Sequence, residues 1–338
     1  MKVDGGLVPD LARVGSEARA LEDLGYDGAA SAETNHDPFL PVLLAAEHTD
    51  RLELSTGIAV AFARNPMILA NLSYDLQEFS QGRFTLGLGS QIKAHIEKRF
   101  SMPWSAPAAR MRELILALRA IWACWNDGER LDFRGDFYRH TLMTPFFDPG
   151  PNPYGTPRVL LAAVGERMTE VAGEVADGIL LHGFTTERYV RDVTMPALER
   201  GWVRAGKQRG DLTVSGPMFV VTGTTEEGLA AARASTKQQI AFYASTPAYR
   251  PVLELHGWGE LQDELNRLSK QGEWQAMGER IDDEMLTTFA VVAEPEAVPG
   301  ALFARYGDLL DRISFYAPYR SDPERWSRVL DGFRADPG

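Results

Sequence analysis

Residues 52–89, LELSTGIAVAFARNPMILANLSYDLQEFSQGRFTLGLG, decide the fold. The stretch opens on an apolar run (52–61), enters a segment of helical spacing at Asn65-Pro66 (66–79), turns at Gly82 and closes on a second apolar run (83–89). Proline suits the first turn of a helix, where its missing N–H would have had no partner. The run 83–89 is rich in apolar residues on both faces, the pattern of a strand buried on both sides of a parallel sheet. Two parallel strands need a crossover connection, and 66–79 supplies it as a helix.

The same rhythm extends in both directions. Upstream, an apolar run (2–7) precedes a helix over 10–24, with Leu11, Val14, Ala18, Leu21 and Leu24 on one face and Gly25 as its stop. A small apolar strand follows at 27–32, and Asp37-Pro38 opens a second helix that runs to about Thr49. Downstream, a polar stretch leads to a helix at 111–125, a hairpin over 130–138 turning at Arg134-Gly135, and a loop over 145–157 with five prolines. Strands at 158–164, 178–182, 212–221 and 312–316 and helices at 166–176 and 186–205 complete the pattern. Eight strands in alternation with helices predict an α/β fold, a TIM (β/α)8 barrel. The whole of 1–338 forms one domain, with insertions after strand four, before strand five and between strands seven and eight. The last insertion, about 224–293, is polar and mainly helical. It reads either as a lid or as a solvated excursion used for packing or dimerisation.

Composition narrows the function. A chain of 338 residues, 44% hydrophobic and 24% charged, buries a core without crosslinks. Cys124 is the single cysteine, so no internal disulfide or thiolate cluster is available, and the six histidines lack the paired spacing of metal ligands; no metal is expected. A net charge of −12 argues against nucleic acid or an anionic membrane surface as the main partner. The N-terminal stretch has no signal-length apolar run and no segment approaches membrane-span length, which predicts a cytoplasmic protein acting on a small molecule.

In such a barrel the reacting groups stand on the loops that follow the strands. Those loops carry Glu33, Thr34, Asn35 and His36 after strand two, Phe62 and Arg64 after strand three, and Ser90, Gln91, Lys93 and His95 after strand four. Gly165, Glu166, Arg167 and Met168 follow strand five, and His182, Gly183, Phe184 and Thr185 follow strand six. The turn starting at Gly165 reads as an anion site, with unpaired N–H groups at a helix N-terminus, or as a plain strand-to-helix turn. His36, His95 and His182 each admit a catalytic or a structural reading. Gly87 and Gly89 do not complete a dinucleotide fingerprint, because Ile92 stands where its third glycine belongs; they read as room for a ring against the backbone. No nucleophile elbow or phosphate-binding loop ending in Gly-Lys-Ser/Thr occurs.

The runs Glu33-Thr34-Asn35-His36-Asp37-Pro38-Phe39, Ser55-Thr56-Gly57-Ile58-Ala59 with Arg64-Asn65-Pro66, and Ser80-Gln81-Gly82-Arg83-Phe84-Thr85-Leu86-Gly87-Leu88-Gly89 resemble the luciferase-like monooxygenase superfamily. With Ala162-Ala163-Val164-Gly165 and Ala176-Asp177-Gly178 they are most similar to its coenzyme F420-dependent oxidoreductases. The resemblance implies a deazaflavin ring across the C-terminal mouth of the strands and a backbone bulge with a non-proline cis peptide at Gly57-Ile58 beneath it. It implies cofactor contacts at Gly57, Ile58 and Ala59, at Gly89, Ser90 and Gln91, and at His182 and Gly183. The cofactor phosphate falls on the turn of Gly165, Glu166, Arg167 and Met168. His36 matches a catalytic acid/base, with Glu33 orienting or tuning it. Lys93, Arg99, Arg110 and Arg167 are basic groups for the acidic F420 tail. Members acting on sugar phosphates carry a lysine after strand six and a glutamate where Ile92 stands, so this chain departs from them. The resemblance thus implies hydride transfer between F420 and a small organic substrate by a homodimer. The alternatives are an FMN-dependent monooxygenase using oxygen and a flavin-binding relative without catalysis.

Overall fold

The computed structural model describes residues 1–320 and 322–335; position 321 and the last three positions of the expected 1–338 domain lie outside the described residues. The chain runs β1 (Lys2–Gly6), α1 (Val14–Leu24), β2 (Gly28–Ser31), α2 (Phe39–His48), β3 (Glu53–Thr56), β4 (Ala59–Val60), α3 (Pro66–Phe79) and β5 (Phe84–Gly89). It continues with α4 (Lys93–Lys98), α5 (Pro107–Asp127), the hairpin β6 (Phe133–Arg134) and β7 (Arg139–His140), β8 (Arg158–Ala162), α6 (Glu166–Val175) and β9 (Gly178–Leu180). Then come α7 (Glu187–Tyr189), α8 (Met195–Arg204), β10 (Thr213–Val221), α9 (Glu226–Ala244), α10 (Arg250–Leu255), α11 (Gly259–Gln271), α12 (Trp274–Glu279) and α13 (Asp283–Phe289). The chain ends through β11 (Ala290–Val292), α14 (Val298–Tyr306), β12 (Arg312–Tyr316) and α15 (Pro323–Ala335).

The fold is a TIM (β/α)8 barrel. Parallel strands follow the order β1-β2-β3-β5-β8-β9-β10-β12, with β12 next to β1 and β9 paired to β10. Two short strands lie outside that ring order: β4 pairs with β5, and β11 pairs with the end of β10, from Phe219 opposite Ala290 to Val221 opposite Val292. Among the described residues no helix is long and apolar enough to cross a membrane.

The chain divides into two compact units. One comprises residues 1–3, 181–196 and 214–338, and the other comprises 4–180 and 197–213. In the first, β10 and β12 pair in register from Ser215 opposite Arg312 to Phe219 opposite Tyr316. A core of Ile240, Ala241, Leu253, Leu265, Leu286 and Phe289 holds the helices of the 224–293 segment, which ends in the strand β11 that its polar composition hid.

In the second unit the local signals act as the sequence predicts. Asn65 accepts the N–H of Ile68 at 3.0 Å ahead of Pro66, and α1 stops at Gly25 in the left-handed region, where Tyr26 N–H donates to the Leu21 carbonyl at 3.1 Å. The second helix starts at Phe39, one residue later than Pro38 suggests, with the Asp37 carboxylate accepting the Phe39 N–H at 2.8 Å.

The expected strand 52–61 is two strands. β3 pairs with β5 as Leu54–Phe84 and Ser55–Thr85, whereas β4 pairs with it as Ala59–Leu88 and Val60–Gly89. Thr56, Gly57 and Ile58 therefore stand opposite Leu86 and Gly87 alone, which is a one-residue bulge. The Gly57–Ile58 peptide within it is cis. A Cβ at Gly87 would sit 1.8 Å from the Thr56 carbonyl oxygen, and one at Gly89 would sit 2.8 Å from the Ile58 Cδ1. What lies against both glycines is thus the bulged strand, not open space for a ring.

At the opposite end of these strands Glu22, 2% exposed, closes the α2–β3 turn. Its Oε1 accepts N–H groups of Arg51 at 2.7 Å, Leu52 at 2.9 Å and Asp50 at 3.1 Å. Burial alone raises the carboxyl's pKa, but the three N–H groups and the Arg51 charge together hold it below the ordinary value. Glu22→Ala should cost about 2–4 kcal/mol at pH 7, because it strands buried donors that bonded a charge. A lowered carboxyl pKa stabilises the fold above the unfolded-state pKa and loses that contribution as pH falls through the folded one. Urea denaturation at pH 7 and pH 3 should show the gap between wild type and variant narrowing in acid.

Candidate active site

The loop after β2 is held by one guanidinium. Arg64 Nη1 donates to Glu33 Oε2 at 2.6 Å and to the Val60 carbonyl at 3.2 Å, and Nη2 reaches Asp37 Oδ2 at 3.0 Å. Its cationic carbon lies 5.4 Å from the centre of the Phe39 ring. Glu33 Oε2 also accepts the Val60 N–H at 2.7 Å, and Glu33 N–H donates to the Ile58 carbonyl at 3.1 Å. The Glu33 side chain is 6% exposed and Arg64 16%, so this ion pair is shielded from water and well supplied with hydrogen bonds. His36 stands between the two clamped acids, exposed, with no hydrogen bond among the described residues. Glu33 and His36 thus share a loop without bonding each other. Glu33 acts on the backbone of β4 and on Arg64, and any effect it has on His36 passes through the loop.

Gly57 is exposed at the bulge, its N–H donating to the Ser31 carbonyl at 2.7 Å; Ile58 is half-buried and Ala59 buried. Gly89 is buried against Ile58, while Ser90 and Gln91 are half-buried beyond it. Gln91 takes φ 59°, and its Oε1 accepts the Ile92 N–H at 3.0 Å, which compensates a backbone conformation unusual for a residue with a Cβ. Lys93, His95 and Arg99 are exposed on or just after the short helix α4, which the sequence reading left as a polar stretch; Arg99 donates to the Thr34 carbonyl. Arg110 differs from the other basic candidates: it is 7% exposed, packed 4.6 Å over the Phe62 ring, with bonds to the Tyr138 hydroxyl and the Pro103 carbonyl. Its alkyl stem and cation complete local packing, so it is withdrawn from the group available to an acidic tail.

Gly165 is exposed and extended, with nothing within 4 Å of the place a Cβ would occupy. Its carbonyl accepts from Met168 at 3.0 Å and Thr169 at 3.1 Å, starting α6. The N–H groups of Glu166 and Arg167 have no acceptor among the described residues. The Glu166 carboxylate turns to Arg200 at 2.8 Å, and Arg200 also holds Glu170 at 2.7 Å, so the acid in the first turn is neutralised. Arg167 is exposed and has no ion-pair partner among the described residues.

His182 and Gly183 belong to the other compact unit. There His182 stacks on Tyr249 (4.6 Å between centroids, 20°) and meets Tyr243 edge-on (4.8 Å, 83°). Its Nδ1 accepts the Phe184 N–H at 3.0 Å. The Tyr243 and Tyr316 hydroxyls are 2.6 Å apart, and Tyr316 stacks on Phe219 at 4.7 Å. A Cβ at Gly183 would lie 3.0 Å from the Tyr316 ring. Burial pushes the His182 pKa down to about 4 and that of Tyr249 up to about 12, and it raises Tyr316 as well. The imidazole is therefore neutral near pH 7. Sequence reasoning missed Tyr243, Tyr249 and Tyr316; the aromatic residues of the 224–293 segment were the available signal for the first two, and Tyr316 stands at the end of β12.

NMR titration of the histidine rings should place the His182 midpoint near 4, well below that of a solvated imidazole. A buried neutral histidine stabilises the fold fully above its unfolded pKa of ~6.5 and loses that contribution as pH falls toward the folded value. His182→Asn should therefore flatten the decline of stability between pH 6.5 and 4, measured by chemical denaturation.

Comparison with known proteins places this geometry in a wider group. The family model described as Luciferase-like monooxygenase matches residues 2–312. An uncharacterized protein of Mycobacterium tuberculosis is 59% identical over 313 residues, covering 93% of this chain and 92% of that one. A 5,10-methylenetetrahydromethanopterin reductase of Archaeoglobus fulgidus is 26% identical over 308 residues, 88% of each chain. Among solved structures, the coenzyme F420 dependent tetrahydromethanopterin reductase from Methanopyrus kandleri superposes with a TM-score of 0.79 at 20% identity, covering 97% of this chain and 96% of that one. At that identity the superposition speaks for the fold.

Proposed function

The chain belongs to the luciferase-like monooxygenase family of oxidoreductases, and from that premise we propose that it is a coenzyme F420-dependent oxidoreductase, transferring a hydride between the deazaflavin and a small organic substrate. One observation carries the reading: the His36 ring is exposed and uncommitted, while the acids on its loop, Glu33 and Asp37, are both taken by Arg64. A side chain left free on a braced loop is positioned for proton exchange, the usual role of an imidazole in acid–base chemistry. Likeness over 88% of the chain to a 5,10-methylenetetrahydromethanopterin reductase, together with the fold shared with a coenzyme F420 dependent tetrahydromethanopterin reductase, supports the choice of cofactor.

The residues present fit such a group. The open backbone at Gly165 and the free N–H groups of Glu166 and Arg167 suit a phosphate, with the Glu166 charge already matched by Arg200. Met168 closes that turn. Gly57, Ile58 and Ala59, with Gly89, Ser90 and Gln91 on the neighbouring strand, would support the ring, and Lys93, Arg99 and Arg167 would meet an acidic tail. F420, when bound, supplies the hydride-carrying carbon. His36 gives or takes the proton that balances hydride transfer at the substrate, and Arg64 holds the loop that presents it. The strand-six loop of neutral rings, His182-Gly183-Phe184, argues against a phosphorylated sugar as substrate.

Purified protein should bind F420 with an affinity that falls as salt rises, since the tail contacts are exposed charges. Tight FMN binding without F420 binding would overturn the cofactor assignment in favour of the oxygen-using reading. His36→Ala should lower kcat by roughly 100-fold or more while leaving F420 affinity nearly unchanged; a near-normal rate would remove His36 from the chemistry.

A further inference from the structure

His182, Tyr243, Tyr249 and Tyr316 form a cluster with an unusual property: it contains no carboxylate, guanidinium or ammonium, and its hydrogen-bond donors exceed its internal needs. His182 Nδ1 accepts from the Phe184 backbone, so in the neutral ring the proton sits on Nε2. That Nε2 has no partner among the described residues and is not among the sealed, unsatisfied atoms, so it keeps access to the space outside the cluster. The Tyr243 and Tyr316 hydroxyls share one hydrogen bond, which uses one phenolic proton and leaves the other free to donate. All four rings are half-buried. The electrostatic influences on His182, Tyr249 and Tyr316 are burial and the neighbouring tyrosines, with no carboxylate, guanidinium or ammonium among them.

We propose that His182 Nε2 and the free hydroxyl of the Tyr243–Tyr316 pair bind the oxygen atom of an uncharged carbonyl compound, with the surrounding rings covering its apolar body. Two neutral donors within one ring cluster, whose His182 and Tyr243 centroids are 4.8 Å apart, suit a carbonyl oxygen and the negative charge that grows on it during reduction. An anionic ligand would be desolvated here without any cation to balance it. The inference rests on the oxidoreductase reading only in treating this ligand as the substrate. The site itself is built from residues of one compact unit and needs no cofactor to be tested.

The test is calorimetric titration of the full-length protein, without cofactor at pH 7, with acetophenone and with benzoate. These share a size and shape and differ in charge. Acetophenone should bind at least ~10-fold more tightly, since burying an unpaired carboxylate is the costlier step. Tyr243→Phe combined with Tyr316→Phe keeps both rings and removes the free donor whichever phenol carries it. His182→Asn keeps an acceptor for the Phe184 N–H and removes the Nε2 donor. Each should weaken acetophenone roughly three- to tenfold, the worth of one net hydrogen bond, with the circular dichroism spectrum unchanged. Benzoate binding as tightly as acetophenone, no acetophenone binding, or unaltered acetophenone affinity in either variant would overturn the proposal and leave the cluster as packing. F420 titrated into the same samples separates the two readings: loss of the cofactor assignment with the ketone preference intact leaves the site standing, and F420 binding without that preference removes the site alone.

Discussion

Strands β3 and β5 meet at Thr56 and Gly87, and much of the geometry of the candidate site depends on that contact. Thr56 Oγ1 donates to the Gly87 carbonyl at 2.7 Å and accepts the Gly87 N–H at 2.9 Å. A side chain at position 87 would collide with the Thr56 carbonyl, so glycine is required for the pair to form. A threonine hydroxyl that satisfies both backbone groups of the opposite residue lets the ladder pause without orphaned buried atoms. The extra residue of the bulge is absorbed there, Gly57 emerges exposed, and pairing resumes one register step later at Ala59.

From that bulge the chain reaches Val60, whose N–H and carbonyl are both engaged by the Glu33–Arg64 pair. Strand three therefore positions the loop of strand two through a charge-assisted network. Two acids converge on one guanidinium, Thr34 bonds Asn35, and His36 is left to the surroundings. A fixed loop with a free imidazole is a different device from a histidine oriented by its own carboxylate.

The other compact unit handles polarity differently. Around His182 the described residues form no ion pair; burial keeps the imidazole uncharged and raises the Tyr249 and Tyr316 phenols, and the rings contact one another by stacking and by a single hydroxyl contact. Low local dielectric makes such uncharged donors effective toward an oxygen atom and hostile to an unmatched anion. This chain thus carries a charged, braced loop in one unit and an aromatic cluster in the other, each assembled from residues of its own unit.

By itself the sequence determined the alternation of strands and helices, the eight-strand count, the Asn65-Pro66 and Gly25 helix boundaries, and the family likeness. These depend on local periodicity and on capping chemistry that acts within a few residues. The placement of His36 on an exposed loop after strand two was legible for the same reason. The partner of Glu33 was not, because Arg64 lies 31 positions away and meets it only when β2 and β3 pair. The role of Gly87 and Gly89 was misread as space for a ring, since only strand register reveals the Thr56 carbonyl and Ile58 against them. Arg110 looked available as a cation and is buried on Phe62. The ring partners of His182 come from positions 243 and 249, separated from it by more than 60 residues, and Tyr316 joins the cluster through Tyr243. Burial, hydrogen-bond partners and hence protonation state are properties of contacts distant in sequence, and only the tertiary structure decided them.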